Sequence, residues 1–345
     1  MVALLRSVLC LALPAASELH AAQVKLNLFI WSEYIDPQIV ADFERQWDCK
    51  VTIDVFEDAE SMMAKIQGGG LALYDVVVPP DYLLPAMIQL NLLAPLRREN
   101  LPNLKNLDGR FLNPSYDPGN RFSVAYQWGT LGIFARQSKD KPLPQTWGLF
   151  LDPKLQDGSF VLIDSLRDMI GAALKYKGHS LNSTDPKELK EARDLVLEGK
   201  RRSLGFEGSV GGKNKVLAKT ARAAIVYSGE GVRGMKDDKD TVYFIPKEGA
   251  VIWVDNLAVL AKAPHRDLAE KFINHILDAK IGAQLSNFTQ FSSPNKAALA
   301  FIKPENLKNE AIYPPDEVNA RLEFVKDLGA KTRLYDEVWT QVKSK

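Results

Sequence analysis

The sequence predicts an α/β chain folded as two lobes, each a mixed sheet flanked by helices, with hinge strands running between them. Three observations predict it. A βαβαβ pattern opens the chain between Leu26 and Val78. A length of 345 residues, 46% apolar and 25% charged, supplies enough material for two cores. Late in the chain, a strand at Val251 to Val254 continues with little punctuation through Asp255-Asn256-Leu257-Ala258-Val259-Leu260-Ala261. That run reads as a connection returning between lobes, so the chain crosses more than once and closes on a hinge beneath a cleft.

In the opening stretch, Lys25 to Tyr34, the run of Leu26, Leu28 and Ile30 with Phe29 suits a strand buried on both faces. It breaks into Trp31-Ser32-Glu33-Tyr34, and Asp36-Pro37 then supplies an N-cap and first-turn proline. Ile39, Val40, Phe43 and Trp47 recur at helical spacing. Val51, Ile53 and Val55 alternate as a second strand. Ala59 to Gln67 reads as a short helix closed by Gly68-Gly69-Gly70. Tyr74 to Val78 is a third strand, stopped by Pro79-Pro80 and followed by Asp81-Tyr82. Two strands, Ser123 to Trp128 and Leu131 to Ala135, are expected on either side of Gly129, at the crossing into the second lobe. That lobe carries strands at Phe160 to Ile163, Ala223 to Tyr227 and Thr241 to Ile245. Its helices are expected over Leu166 to Lys177 and from Asp185-Pro186 through Leu197. Further helices follow at Asp267 to Leu277, Asp316 to Leu328 and Leu334 to Lys343.

Charge excludes one class of partner. Lys plus Arg is 44 against 43 for Asp plus Glu, so the chain has no global footprint for nucleic acid or anionic lipid. Residues 1–22 read as a secretory signal, with Arg6 ahead of the apolar run Val8 to Ala16 and small residues after it. That run is too short to span a bilayer. Cleavage after Ser17 fits the small-x-small rule, and cleavage after Ala21 or Ala22 fits the first strand. Lipid attachment at Cys10 is open, but Ser7-Val8-Leu9 makes a poor attachment signal. Once the signal is removed only Cys49 remains, so no intrachain disulfide is expected.

Chemistry concentrates where strands end. Trp31, Ser32, Glu33 and Tyr34 set two rings around a carboxylate, a combination that holds an organic cation through charge-assisted hydrogen bonds and negative ring faces. The competing reading makes the rings core and Glu33 solvated. Trp253 and Asp255, two apart on a strand, share one face and form a second socket, with Ile252 and Val254 on the other face. Tyr227 and Glu230 pair ring and acid again after a buried strand. Asp168 lies three residues after Ser165, close to a capping box, so capping and ligand contact both suit it. Gly229-x-Gly231-x-x-Gly234 spells a dinucleotide fingerprint but lacks room for the crossover helix that fingerprint needs. Gly208 to Asn214 fails as a phosphate loop on spacing and on Asn214. His20, His179, His265 and His275 have no metal-ligand spacing, and there is no nucleophile elbow. No cofactor, metal or catalytic residue is expected. The enzyme alternative is a secreted glycosidase using two of these acids.

The chain resembles the periplasmic spermidine/putrescine (polyamine) binding proteins of bacterial ABC transporters. The likeness runs from about Leu26 to the C-terminus. It rests on Trp31-Ser32-Glu33-Tyr34-Ile35, Tyr74-Asp75-Val76-Val77-Val78-Pro79 and Thr184-Asp185-Pro186-Lys187-Glu188. It continues through Pro246-Lys247-Glu248-Gly249 with Trp253-Val254-Asp255, then Pro294-Asn295-Lys296-Ala297-Ala298 and Ile312-Tyr313-Pro314-Pro315. The resemblance implies the two-lobed type II periplasmic binding protein fold, with residues 23–132 plus 255–299 in one lobe and 133–254 plus 300–345 in the other. It implies a polyamine ligand, an inner-membrane ABC permease as partner, a monomer and a periplasmic location. It further implies that Trp31, Ser32, Glu33, Tyr34 and Tyr82 line the cleft from the first lobe, and Asp168, Tyr227, Glu230, Trp253 and Asp255 line the rest. Tyr227 stands where the family usually has Trp, and Ser165 where spermidine-preferring members place a second acid. Glu230 stands at an Asp position of putrescine-preferring members, Phe291 replaces a Tyr, and Glu323 falls at a Gln position of the spermidine type. The mixture leaves diamine against triamine open, leaning to putrescine. A receptor of the same fold for another solute is the second alternative; an amino acid or iron carrier would call for an Arg in the cleft, for which only Arg167 and Arg233 are near.

Overall fold

The computed structural model describes residues 24–137 and 142–344. The expected signal segment, including Cys10, lies outside the described residues. Among the described residues ten strands, β1 (Val24–Trp31), β2 (Cys49–Phe56), β3 (Val76–Val77), β4 (Ser123–Arg136), β5 (Phe160–Ile163), β6 (Phe206–Glu207), β7 (Ala223–Tyr227), β8 (Thr241–Phe244), β9 (Val251–Val259) and β10 (Glu323–Phe324), are joined in one curled, helix-flanked sheet. Its order is β2-β1-β3-β9-β4-β7-β5-β6, with β8 added to β4 and β10 to β9.

The opening unit forms for the reasons its residues suggest. Leu26, Leu28 and Ile30 join the main core, while Phe29 turns to the opposite face and stacks on Tyr74 with ring centroids 4.5 Å apart. Asp36 accepts the Gln38 N–H and caps helix Pro37–Trp47. The chain then returns as β2, parallel to β1, bringing Trp31 level with Phe56. β3 is shorter than the apolar run around it, because proline has no N–H for the ladder at Pro79 and Pro80.

The centre is β4 paired antiparallel with β9. β4 runs unbroken from Ser123 to Arg136 through Gly129, where a break was expected. Gly129 is a close-approach site: a Cβ there would lie 2.7 Å from the Trp253 ring and 2.9 Å from Ser228 Oγ. The strand bends instead at a bulge between Ala125 and Gln127. Its first part pairs with β9 and its second with β7 and β8, so one strand serves both halves of the sheet. β9 likewise continues past Val254 to Val259, meeting β10 at one end and β3 at the other.

Two expectations are corrected. Helix Asp316–Asn319 is short, and the chain then extends as β10 along β9. The Glu323 N–H bonds Ala250 O, and its carboxylate takes Lys175 at 2.7 Å and Ser180 at 2.6 Å. Those long-range partners outweigh local helix preference. After β7 a helix does form, Ser228–Asp237, containing all three fingerprint glycines. They allow close packing, Gly231 under Tyr243 and Gly234 under Phe134. β7 and β8 both run antiparallel to β4 and are separated by it, so they are not the adjacent parallel strands of a dinucleotide-binding unit.

Candidate functional site

Strands of an open α/β sheet present ligands at their carboxyl ends, and those ends meet here around one cavity. Trp31 and Ser32 come from the end of β1, Glu57 and Asp58 from β2, and Pro80 and Tyr82 follow β3. From the other half come Asp168 on the first turn of helix Leu166–Tyr176, Tyr227 at the end of β7, and Glu230 on the first turn of helix Ser228–Asp237. Trp253 and Asp255 of β9 lie between. Tyr34, Ser209 and Phe291 complete much of the wall. The cavity is narrow, with a volume of about 70 Å³.

The aromatic walls brace one another. Trp253 meets Phe291 edge-on at 5.1 Å and Tyr227 at 5.6 Å, and Tyr34 meets Phe291 at 5.3 Å. Trp31 donates Nε1–H to Val78 O at 3.1 Å and rests on Phe56 at 4.5 Å. Such interlocking fixes ring planes before any ligand arrives.

The acids are nearly out of water. Asp255 is 6% exposed and Glu230 4%. Burial pushes the Asp255 carboxyl well above the usual range, Tyr34 steadies its charge in part, and Asp81, Asp168 and Glu230 raise it further. Glu230 is raised by burial, against the pull of Arg233 and Lys213; it accepts Ser209 Oγ–H at 3.3 Å and Arg233 at 3.2 Å. Asp168 is raised by burial and accepts the Tyr227 hydroxyl at 2.7 Å. The Ser165 hydroxyl makes no capping bond to the helix backbone, so the capping-box reading fails.

Of the residues expected in the cleft, Trp31, Ser32, Tyr34, Tyr82, Asp168, Tyr227, Glu230, Trp253 and Asp255 line this cavity. Glu33 does not. Its backbone turns through the left-handed region at φ 52°, and its side chain, 45% exposed, points to Lys213 at 2.8 Å and Arg233 at 3.1 Å. A strand-end carboxylate thus becomes an ion pair between β1 and the helices following β6 and β7. Glu323 also lies elsewhere, engaged by Lys175. Sequence reasoning missed Glu57 and Asp58, although β2 ends on the same edge as β1. Ser32 Oγ donates to the Glu57 carboxylate. Arg167 also lines the cavity, with Nη1–H on Lys326 O at 3.1 Å and Nη2–H on Asn182 Oδ1 at 2.9 Å.

Asp81, just behind the cavity wall, is 4% exposed, and burial pushes its carboxyl up to about 8. A carboxyl near 3.8 when unfolded and about 8 when folded holds its proton only in the fold between those values. Each rise in pH across that window therefore costs stability. The ligand-free protein is expected to lose melting temperature from about pH 4 to pH 8, and Asp81→Asn to flatten that slope. Calorimetric scans of both proteins at matched pH check this; identical slopes would refute it.

Fold and site together define a two-lobed solute receptor of the type II periplasmic binding protein class: hinge strands, an interlobe cavity, and strand-end residues converging on it. The chain belongs to the bacterial extracellular solute-binding protein family, whose profile matches residues 38–315. These are solute-binding transport proteins, not enzymes. The chain is 33% identical over 341 residues to a putrescine/cadaverine-binding protein of Pseudomonas aeruginosa, covering 95% of this chain and 96% of that one. It is 28% identical to the spermidine/putrescine-binding periplasmic protein of Escherichia coli, over 92% and 91% of the two chains. In structure it is similar to a putative spermidine/putrescine ABC transporter protein from Listeria monocytogenes, with TM-score 0.84 and 33% identity over 92% of this chain and 98% of that one.

Proposed function

We propose that this protein is an extracytoplasmic receptor that captures a linear polyamine, putrescine or spermidine, and delivers it to an ABC permease of the inner membrane. One observation carries the reading: Asp255, Glu230 and Asp168, three buried acids, share a narrow cavity walled by Trp31, Trp253, Tyr227 and Phe291. Burial raises all three carboxyls, so without a cation each takes up a proton more readily. An ammonium at each end of a slender chain relieves that burial, and the rings cover the methylenes between, at about 0.5–2 kcal/mol per well-placed cation–ring contact. Binding therefore favours the closed arrangement over the open one. In this reading Trp31, Ser32, Tyr34, Tyr82, Asp168, Tyr227, Glu230, Trp253 and Asp255 contact ligand, whereas Glu33 acts at the rim. Residues 23–132 with 255–299 and 133–254 with 300–345 are the lobes that turn about β4 and β9. Residues 1–22 serve as the export signal, and the receptor acts as a monomer.

Arg167 favours a second reading, a ligand with an anionic end. Its Nε has no hydrogen-bond partner among the described residues. Its two terminal nitrogens are already committed to Lys326 O and Asn182, and Arg233 to Glu33 and Glu230. The amine reading therefore stands first. A thermal-shift screen with putrescine, spermidine, amino acids and sugars tests both, because a ligand that binds only the folded form raises its melting temperature. Shifts with the amines alone are expected. A shift with γ-amino or α-amino acids, and none with diamines, would replace this reading with the second.

A further inference from the structure

β9 is a wall with two sides. Trp253 and Asp255 face the cavity described above, while Ile252 and Val254 face a groove on the opposite side of the sheet. That groove is larger, about 840 Å³. Phe111, Tyr116 and Trp128 form its aromatic wall. Tyr82 and Val325 line both the groove and the ligand cavity, so the two share side chains as well as a strand.

Asp81 lines this groove and not the polyamine cavity, although its charge reaches Asp255 through the wall. Its donors are the backbone N–H groups of Tyr82, at 2.9 Å, and Val254. No ion pair reaches it among the described residues. Arg110, across the groove, is held by Asp108 at 3.1 Å and lies over the Phe111 and Trp128 rings. Lys326 makes no ion pair among the described residues, but the far rim also carries Asp316 and Asp327. A carboxyl taken out of water without a cation is costly, and burial accordingly raises this one to about 8. The same pairing of a buried acid with flat rings marks the cavity on the other face.

We propose that the groove behind β9 is a second ligand site, for a primary amine with a slender apolar body. Asp81 receives the ammonium, and Tyr116, Phe111 and Trp128 cover the carbon chain. Occupancy is coupled to the cleft through β9 and Tyr82, because turning the lobes about β4 and β9 reshapes both faces of that strand pair. This goes beyond the transport reading, for it gives the receptor a second place to sense an amine of the kind it carries.

Equilibrium dialysis of the full chain with labelled putrescine, carried to millimolar ligand, tests it. Two equivalents are expected, the second weaker. Asp81→Asn should remove the second and keep the first, shifted only by loss of the Asp81 charge that raises the Asp255 carboxyl. Asp255→Asn should remove the first and leave the second. Ser115→Trp, which fills the groove from its exposed rim, repeats the Asp81 arm should Asp81→Asn fail to fold. A single tight equivalent in the unaltered protein, or a second equivalent that survives both groove variants, overturns the inference while leaving the receptor reading intact. Absence of the tight equivalent with putrescine and with spermidine alike would instead remove the receptor reading. Absence of any bound putrescine or spermidine would remove both.

Discussion

Asp255→Asn is expected to weaken polyamine binding by about 2–5 kcal/mol, the range for truncating one partner of a desolvated charge pair. The substitution keeps shape and removes only the charge. Asp255 lies among Tyr34, Trp253 and Phe291, where water cannot substitute for the lost carboxylate. The same change should stabilise the ligand-free protein. The folded carboxyl is raised well above its unfolded value, so above the unfolded value folding must keep a proton that the unfolded chain gives up. Asparagine removes that demand. Its ligand-free melting temperature should exceed that of the unaltered protein, and the gap should widen as pH rises through neutrality. Ligand binding by the unaltered protein should release protons, seen as a calorimetric heat that changes with the buffer's ionisation enthalpy. Unchanged affinity in Asp255→Asn would take this residue out of the site. Lower ligand-free stability would mean that the carboxyl has a structural partner.

Much of this site was legible because it sits where simple rules apply. Side chains alternate along a strand, so Trp253 and Asp255 had to share a face. Ligands gather at carboxyl ends, so Trp31 and Tyr82 belonged together. The rules failed where a backbone angle or a distant partner decides. Glu33 reads as one more strand-end acid, and nothing local shows that its backbone is left-handed or that Lys213 and Arg233 wait on other helices. Glu57 and Asp58 follow a strand whose alternation does not show that it lies parallel beside β1 with its end at the same edge. Gly129 looked like a turn because its real constraint, the Trp253 ring, is far away in sequence. β10 was invisible for the same reason, since its residues extend only because Ala250 and Lys175 hold them.

Arg233→Met should raise the dissociation constant by about one to two powers of ten, mostly by speeding ligand release, as interface changes usually do. One guanidinium here links three elements. It holds Glu33 at 3.1 Å after β1, Thr289 O at 2.6 Å at the end of helix Ala279–Thr289, and Glu230 at 3.2 Å on its own helix. Two of those partners belong to the other proposed lobe, so in the receptor reading these pairs are expected only when the lobes are together. The Glu33 pair alone counts for little, because Glu33 is 45% exposed and screened by salt. Glu33→Gln is accordingly expected to cost well under half of what Arg233→Met costs. The buried Glu230 pair supplies the difference. Arg233 pulls the Glu230 carboxyl down against its burial, so without it Glu230 takes up a proton more readily and attracts an ammonium less. The defect should therefore deepen as pH falls from 8 toward 6. Stopped-flow release of putrescine across that range, for both variants and the double variant, separates the contributions. Equal losses in Glu33→Gln and Arg233→Met would assign the whole effect to the rim pair, and an unchanged release rate in Arg233→Met would show that this guanidinium does not hold the cleft shut.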